Sequence, residues 1–420
     1  PMITLALEGS PEFAAAATKE AVASSSTKFY FHASRLRVAE SRELRRAEDG
    51  GSTRHLELAV PHANFYETAD NVAILAENAE EDVAALLTAL RLPKKQRFVF
   101  TMDAKHPFPT PCTFAVALKR YLDLSAKPKR AHLRAFADLL QNPTLSRLLD
   151  DDDAFEADAP ELSSLANVAR NYDSHAAKEE DDELASSAKR FALFVEKVAF
   201  HVQPRYYTIA SSNVADSTSV HVASSLVELP CGRSGLCSGY LANLRAGDLL
   251  SAFVRPSSFR LPATQARVPL VLVGPGTGLA PMRAVLRERA SGQGPFSTHV
   301  SRACLYFGCK THLDFIYREE LEAYSGSVLE RFQVAFSRKQ ADKVYVQDLM
   351  RRPDDRAYLK AALLDEPGVL FVCGGTTMGR AVHDTLVDVF SSETTLDRPT
   401  ALAMLESMKS QGRYVQELWA

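Results

Sequence analysis

The chain has 420 residues, 46% hydrophobic and 24% charged, with 19 Gly and 21 Pro, which excludes disordered, collagen-like and fibrous classes and leaves room for two or three domains. Its 49 Lys+Arg against 52 Asp+Glu give a net charge of −3, which argues against a general nucleic-acid binder while leaving local basic sites for a phosphate. No uncharged apolar run reaches the roughly 18–20 residues of a membrane helix, so no membrane segment is expected.

The first stretch, Pro1–Phe13, ends in GSPEF and reads as a cloning-site scar; Ala14–Lys28 is Ala/Ser-rich. Residues 1–28 are therefore expected to be a scar and a flexible tail outside the fold. From residue 29 the pattern turns β-like: KFYFHASRLRVAESREL and RHLELAV alternate apolar and polar side chains, as half-buried antiparallel strands do. Residues 77–199 read mainly as helices, with three-to-four-residue apolar spacing in CTFAVALKRYLDL, RAHLRAFADLLQ and ASSAKRFALFVEKV. The acidic runs Asp150–Asp153 and Glu179–Glu183 read as solvated loops. Strand character returns over 200–262 in RYYTIASS, TSVHVASSLVEL and GDLLSAFVR. A β segment, a helical insert and a return to β predict one antiparallel barrel formed by 29–76 and 200–262 and interrupted by 77–199. Over 263–420 the runs VPLVLVG, ACLYFGC, FQVAFS and VLFVCGG are short and almost continuously apolar, each followed by a helical pattern. That predicts a doubly wound parallel sheet.

The cysteines are Cys112, Cys231, Cys237, Cys304, Cys309 and Cys373, with no C-x-x-C pair. Neither a disulfide scaffold nor a zinc module is indicated, no metal is expected, and a reducing compartment is the natural reading.

Five segments and the single tryptophan carry chemistry. Arg205-Tyr206-Tyr207-Thr208 heads a strand, which sends Arg205 and Tyr207 to one face and Tyr206 and Thr208 to the other; a cation can meet a pyrophosphate while an aromatic ring stacks on a planar cofactor. Gly235-Leu236-Cys237-Ser238 opens a helical stretch whose first amides could face an anion. Gly274-Pro275-Gly276-Thr277-Gly278 lies between the strand VPLVLV and the helix MRAVLRERA, so its glycines let backbone approach a diphosphate. Ser337 and Arg338 close the strand FQVAF, followed by Lys343, Tyr345 and Gln347. Two hydroxyls and two cations there, with no acid at the strand tip, suit a 2′-phosphate and select NADP over NAD. Cys373-Gly374-Gly375 ends VLFV at the ligand-binding edge of such a sheet. The single tryptophan, Trp419, is a packing plug or a cover for a flavin.

In this order, ESREL, YETADNVAIL, HPFPTPCT, RYYTIASS, GPGTGLAP, YFGCK…DFIYREEL, AFSRKQADKVYVQ, VCGG and GRYVQELWA resemble the FAD/NADP(H) portion of the diflavin reductase family, with its NADPH–cytochrome P-450 reductase branch nearest. The resemblance implies a ferredoxin-reductase-type fold: an FAD-binding antiparallel barrel with a helical connecting insert, then an NADP(H)-binding domain over 263–420. It implies FAD contacts from Arg170, Arg205, Tyr206, Tyr207, Thr208, backbone N–H groups of Gly235, Leu236, Cys237 and Ser238, and Trp419. It implies NADP contacts from Arg42, Gly276, Thr277, Ser337, Arg338, Lys343, Tyr345, Gln347 and Met378. Thr208, Cys373, Glu417 and Trp419 would flank the reacting rings.

The implied activity is hydride transfer from NADPH to FAD, then electron transfer to an FMN-containing flavodoxin-like domain or partner and on to a haem protein. FMN is expected only in a missing N-terminal domain or a separate partner. A cytoplasmic setting, with a longer protein anchored at the endoplasmic reticulum face, goes with that reading. The rivals are a stand-alone ferredoxin or flavodoxin reductase and a degenerate nucleotide-binding scaffold without turnover. Five departures from the family pattern stand out: Thr208 for Ser, Glu417 for Asp, Gly375 for an acid, and Ala69 and Asn71 for Gly and His.

Overall fold

A computed structural model describes residues 3–17, 28–102, 105–172, 183–229, 232–262 and 267–419. Cys231, residues 18–27 and most of the Glu179–Glu183 run lie outside the described residues. In chain order the strands are β1 (Leu5–Leu7), β2 (Ser34–Glu43), β3 (Thr53–Ala59), β4 (Asn71–Leu75), β5 (Arg97–Phe100), β6 (Cys112–Thr113) and β7 (Arg205–Thr208). They continue as β8 (Ser219–Ser225), β9 (Leu249–Arg255), β10 (Val268–Val273), β11 (Val300–Cys309), β12 (Arg331–Phe336), β13 (Val369–Gly375) and β14 (Tyr414–Trp419). The chain divides into two compact units. One comprises 1–34, 74–205 and 227–240, the other 35–73, 206–226 and 241–420.

The first unit is mainly helical. Thr113, Asn142, Asp151 and Ser164 each accept a hydrogen bond from the amide three residues on, capping the helices that follow them. The apolar faces of these helices close over a core of large rings, with Phe98 and Phe114 stacked at 5.1 Å and Phe191 against both. Two features differ from the sequence expectation. A small sheet, in the order β1-β5-β6, sits among the helices. Its outer strand is Leu5–Leu7, antiparallel to β5 with Leu5 opposite Phe100 and Leu7 opposite Phe98. Residues Leu5–Leu7, inside the stretch read as a scar, therefore belong to this fold, while most of the expected tail, 18–27, lies outside the described residues. The physical reason is that these apolar residues cover the open edge of β5 and pack on the phenylalanine core.

The second unit holds two sheets. The five-stranded one, β12-β11-β10-β13-β14, is parallel throughout. Its central strands are apolar on both faces because helices cover both. Leu270, Leu272, Phe371 and Cys373 point to one core; Val271, Val273, Leu370 and Val372 point to the other. Phe371 is fully buried between Phe259 and Phe296. The six-stranded sheet has the order β7-β4-β9-β2-β3-β8, with β2, β3 and β8 antiparallel.

A buried polar cluster ties the β3–β8 pair to the helices beside the parallel sheet. Glu57 lies opposite His221 in register. His55 Nδ1 is 2.7 Å from the Tyr317 hydroxyl, and its Nε2 is 3.1 Å from Glu57. Arg283 donates to His221 Nδ1 (3.1 Å) and to the Ala210 carbonyl (2.8 Å), and its Nε pairs with Glu320 at 2.7 Å. An arginine only donates and a carboxylate only accepts, so both imidazoles keep their proton on Nε2. Those are the atoms a metal would need, although His55, Glu57 and His221 are close enough to share one. The cluster is a hydrogen-bond network.

Burial, reinforced by the Arg283 guanidinium, pulls both His55 and His221 down to about 3. In the unfolded chain a histidine titrates near 6.5. The unfolded state thus binds more protons between those values, and the stability this cluster contributes is complete above pH 6.5 and lost as pH falls below it. Urea unfolding midpoints should therefore decline from pH 7.5 to pH 5, each histidine adding a slope of up to about 1.4 kcal/mol per pH unit. His221→Gln should flatten that profile. A wild-type midpoint constant over this range would contradict the neutral cluster.

Candidate functional site

Parallel strands carry their C-terminal ends to one edge of a sheet, where ligands bind in doubly wound folds. At that edge of the second unit lie the ends of β10, β12, β13 and β14 with the loops that follow them. The loop after β10 can lie flat only because it is glycine. A Cβ on Gly274 would come within 2.4 Å of the Gly278 carbonyl oxygen, and one on Gly278 within 2.1 Å of that of Cys373. Gly276 has φ +56° with open space around its Cβ position, so its cost with any other residue is conformational. Thr277 is half-buried beside it, ahead of the helix Leu279–Ser291.

Thr208, Cys373 and Glu417 come together here. Parallel pairing sets Cys373 opposite Glu417. The Thr208 hydroxyl donates to Glu417 Oε2 at 3.5 Å and also meets the Cys373 thiol. Cys373 is 1% exposed; burial, and then the Glu417 charge, push its thiol well above the usual range, so it stays protonated at neutral pH. Trp419 ends β14 opposite Gly375 and is 45% exposed. Met378 packs beneath Gly374, where a Cβ would fall 2.4 Å from its Cε.

The proposed 2′-phosphate residues follow β12. The Ser337 amide donates to Cys309 O and the Arg338 amide to Lys310 O, which fixes the turn. The side chains of Arg338 and Lys343 are exposed and have no acidic partner among the described residues. Tyr345, 44% exposed, precedes the short helix Val346–Met350 that carries half-buried Gln347. Arg42 on β2 pairs with Glu40 at 2.9 Å and lines a cavity of about 290 Å³ with Arg46, His312 and Arg318.

The residues assigned to FAD fall in both units. On β7, Arg205 and Tyr206 are exposed while Tyr207 and Thr208 are half-buried. The Arg255 guanidinium sits 5.4 Å from the Tyr206 ring. Arg170, near the end of the helix Leu165–Asn171, is not an open cation: it is ion-paired with Asp82 and bonded to Asn167. Asp82 also meets Arg233 at 3.6 Å. Gly235 precedes the helix Leu236–Asn243, but its amide donates to Val227 O at 2.8 Å. The expectation that all four residues 235–238 offer an N–H to a ligand is corrected at that position, because the turn itself uses the donor. Ser238 Oγ accepts from Val227 N, and Cys237 is buried.

Sequence reasoning missed part of the site. Asn71, seen only as a departure, donates to Glu417 Oε2 at 3.4 Å. Ser258 gives Glu417 Oε1 both its amide (3.1 Å) and its hydroxyl (3.3 Å). Arg260 forms an ion pair with Asp70, the residue before Asn71. The one available signal was the run of departures at YETADN. Ala69 there adopts φ +65° while fully buried, the conformation glycine takes without cost.

The FAD binding domain family matches residues 28–240, and the oxidoreductase NAD-binding domain family matches residues 272–384. NADPH–cytochrome P450 reductase of Musca domestica is 31% identical over 405 residues, covering 91% of this chain and 58% of its own length. That of Aspergillus oryzae is 30% identical over 428 residues, at 91% and 59%. The bifunctional cytochrome P450/NADPH–P450 reductase 1 of Bacillus subtilis is 30% identical over 407 residues, at 93% and 37%. The chain spans about three fifths of the length of the first two of these relatives. With both domain families matched in this order, the chain belongs to the FAD binding domain family, and across nine tenths of its length it is similar to the FAD/NADP(H) portion of the NADPH–cytochrome P450 reductases.

Proposed function

We propose that this chain takes up FAD and NADPH and works as an NADPH-dependent flavoprotein reductase. Its electrons would pass to an FMN-containing flavodoxin-like domain or protein and then to a haem protein such as a cytochrome P-450. The observation that carries this reading is the Thr208–Cys373–Glu417 cluster at the ligand-binding edge of the parallel sheet, beside a glycine loop. The domain plan that goes with it is an FAD-binding barrel from 29–76 and 200–262, a connecting insert over 77–199 and an NADP(H)-binding domain over 263–420. Closure of the six-stranded sheet into a barrel is supported where β7 ends: Ile209 N donates to Asp70 O and Ala210 N to His221 O, so that segment meets both the start of β4 and β8. No helix among the described residues is long and apolar enough to cross a membrane. A cytoplasmic setting, with any endoplasmic-reticulum anchor in a longer protein, accords with that.

The side chains fit the two cofactors. A phosphate monoester needs cations with no competing acid, and Arg338 and Lys343 supply them; a diphosphate needs close backbone, and Gly274–Gly278 supply it. Arg205, exposed and without an acidic partner among the described residues, suits the FAD pyrophosphate. When bound, NADPH supplies a hydride and FAD accepts it, to release the electrons singly. The chain contributes alignment and charge. Glu417 presents a carboxylate held at both oxygens, and Cys373 presents a neutral thiol that cannot be displaced toward solvent. Trp419, exposed at the strand end opposite Gly375, would supply an aromatic cover for a bound flavin.

Three outcomes test this reading. Purified protein should show a flavin spectrum that bleaches on anaerobic addition of NADPH, and should reduce ferricyanide but cytochrome c only slowly, since neither matched domain family supplies an FMN relay. A colourless protein that binds no added FAD would sink it.

Charge-assisted hydrogen bonds are worth about 1.5–3 kcal/mol, or roughly 10- to 100-fold each. Arg338→Ala and Lys343→Ala should each raise KM for NADPH by about that factor and leave KM for NADH unchanged. Equal effects on both nucleotides would remove the phosphate role.

An indole on the flavin must leave before nicotinamide can stack, and only NADPH has the extra phosphate anchor to drive that exchange. Trp419→Ala should therefore raise kcat/KM with NADH more than with NADPH. An unchanged ratio at full FAD occupancy, checked by absorbance, would make Trp419 a packing plug.

A further inference from the structure

Glu417 stands on β14, which is the last strand of its sheet. Its inner neighbour is β13; among the described residues no strand pairs on its outer side. Yet both carboxylate oxygens are engaged. Oε1 accepts the amide and hydroxyl of Ser258, and Oε2 accepts Asn71 Nδ2 and the Thr208 hydroxyl, at 3.1 to 3.5 Å. None of these donors is a cation. The two added anchors come from separate segments, Asn71 at the start of β4 just after the turn 67–70 and Ser258 in the loop 256–260 after β9, and one carboxylate joins those segments. Asp70 Oδ1 accepts Ser257 N at 3.2 Å and pairs with Arg260, while Asp70 Oδ2 accepts Glu67 N at 2.8 Å. Arg260 also reaches Glu67 and the Thr68 carbonyl at 3.1 Å each.

We propose that Asn71 and Ser258 are positioning residues for Glu417, fixing the direction of its carboxylate toward Cys373 and Thr208, with the Asp70–Arg260 pair locking the two segments that carry them. The assignment rests on the reductase reading for its catalytic consequence, and on geometry alone for the interaction. A glutamate has one more rotatable bond than an aspartate, and each free torsion must be restrained for the charge to stay in one place. Asn71 suits this task because its amide donates at every pH. The ionisable groups around the pair are Cys373 on β13 and Asp70 with Arg260 and Glu67 at the base of those segments.

The test is a double-mutant cycle between Asn71→Asp and Glu417→Gln, read in two ways: urea unfolding midpoint, and NADPH-dependent ferricyanide reduction. Asn71→Asp preserves shape but replaces the donor with a like charge, and two close carboxylates cannot both ionise freely. At pH 8 the variant should lose about tenfold in kcat with KM for NADPH within about twofold, and its unfolding midpoint should drop relative to wild type. Both deficits should shrink at pH 6, where one of the two acids takes up a proton and donates again. In the Glu417→Gln background the added effect of Asn71→Asp should vanish at both pH values. If Asn71→Asp does not fold, Asn71→Ala enters the same cycle, with its effect expected in wild type and absent beside Gln at 417. A deficit that is independent of pH, or additive with Glu417→Gln, would show that Asn71 acts elsewhere and overturn the proposal. A wild-type protein inactive with NADPH would sink the reductase reading alone, because the unfolding cycle still decides whether Asn71 holds Glu417.

Discussion

A Cβ at residue 278 would sit 2.1 Å from the Cys373 carbonyl oxygen, so the loop after β10 and the end of β13 can meet only through glycine. That contact has consequences along the whole edge of the parallel sheet. It holds the turn Gly274–Gly278 down on β13, and three of the turn's five residues carry no side chain, so backbone can approach a diphosphate. It also fixes the end of β13, whose register with β14 then sets Cys373 opposite Glu417 and Gly375 opposite Trp419. One missing methyl group thus connects the nucleotide loop to the residues proposed to surround the reacting rings.

The parallel sheet was legible because its cause is local. Strands buried on both faces must be apolar at every position, and VPLVLV and VLFVC state that in six and five letters. The glycine loop was legible for a similar reason, since strand, turn and helix adjoin in sequence. The clamp on Glu417 was not. Asn71 and Glu417 are 346 positions apart, and nothing in PSSFR distinguishes a serine that caps a distant carboxylate from one that faces water. The same holds for Arg170 and Asp82, 88 positions apart: a cation read as open to a ligand proves to be paired. The strand Leu5–Leu7 was missed for a different reason. GSPEF looks like a scar, yet the three-residue apolar run Leu5–Leu7 just before it is enough to cover one sheet edge.

The distribution of paired and unpaired cations separates architecture from function within the second unit. Arg283 is 3% exposed and answers to Glu320, His221 and Ala210 together, because a buried guanidinium without partners would be prohibitively costly. Arg331 is matched in the same way by Asp355 at 2.8 Å. Arg338 and Lys343 stand in solvent, where hydration meets that cost and no partner is required. Two surface cations without an acidic partner among the described residues are open to an anion, as the proposed phosphate role requires. Screening by salt weakens their pull at a distance, but not the directional hydrogen bonds that form on contact.

The departures at 69, 71 and 417 make more sense as a set than singly. Ala69 holds a left-handed backbone at a cost of roughly 1–2 kcal/mol, and the turn it strains is the one that delivers Asp70 and Asn71. Such strain persists only where surrounding contacts overdetermine it. Here Asp70 takes the Glu67 amide, the Ser257 amide and Arg260, while the methyl of Ala69 is wholly buried among the apolar residues that face β13. The turn is therefore rigid before any ligand arrives, and a rigid turn is what a longer acid on an edge strand needs. With aspartate at 417, the shorter side chain would draw the carboxylate back toward β14 and away from these anchors. Glutamate reaches them, and the added torsional freedom is removed by Asn71 and Ser258 in place of a second strand.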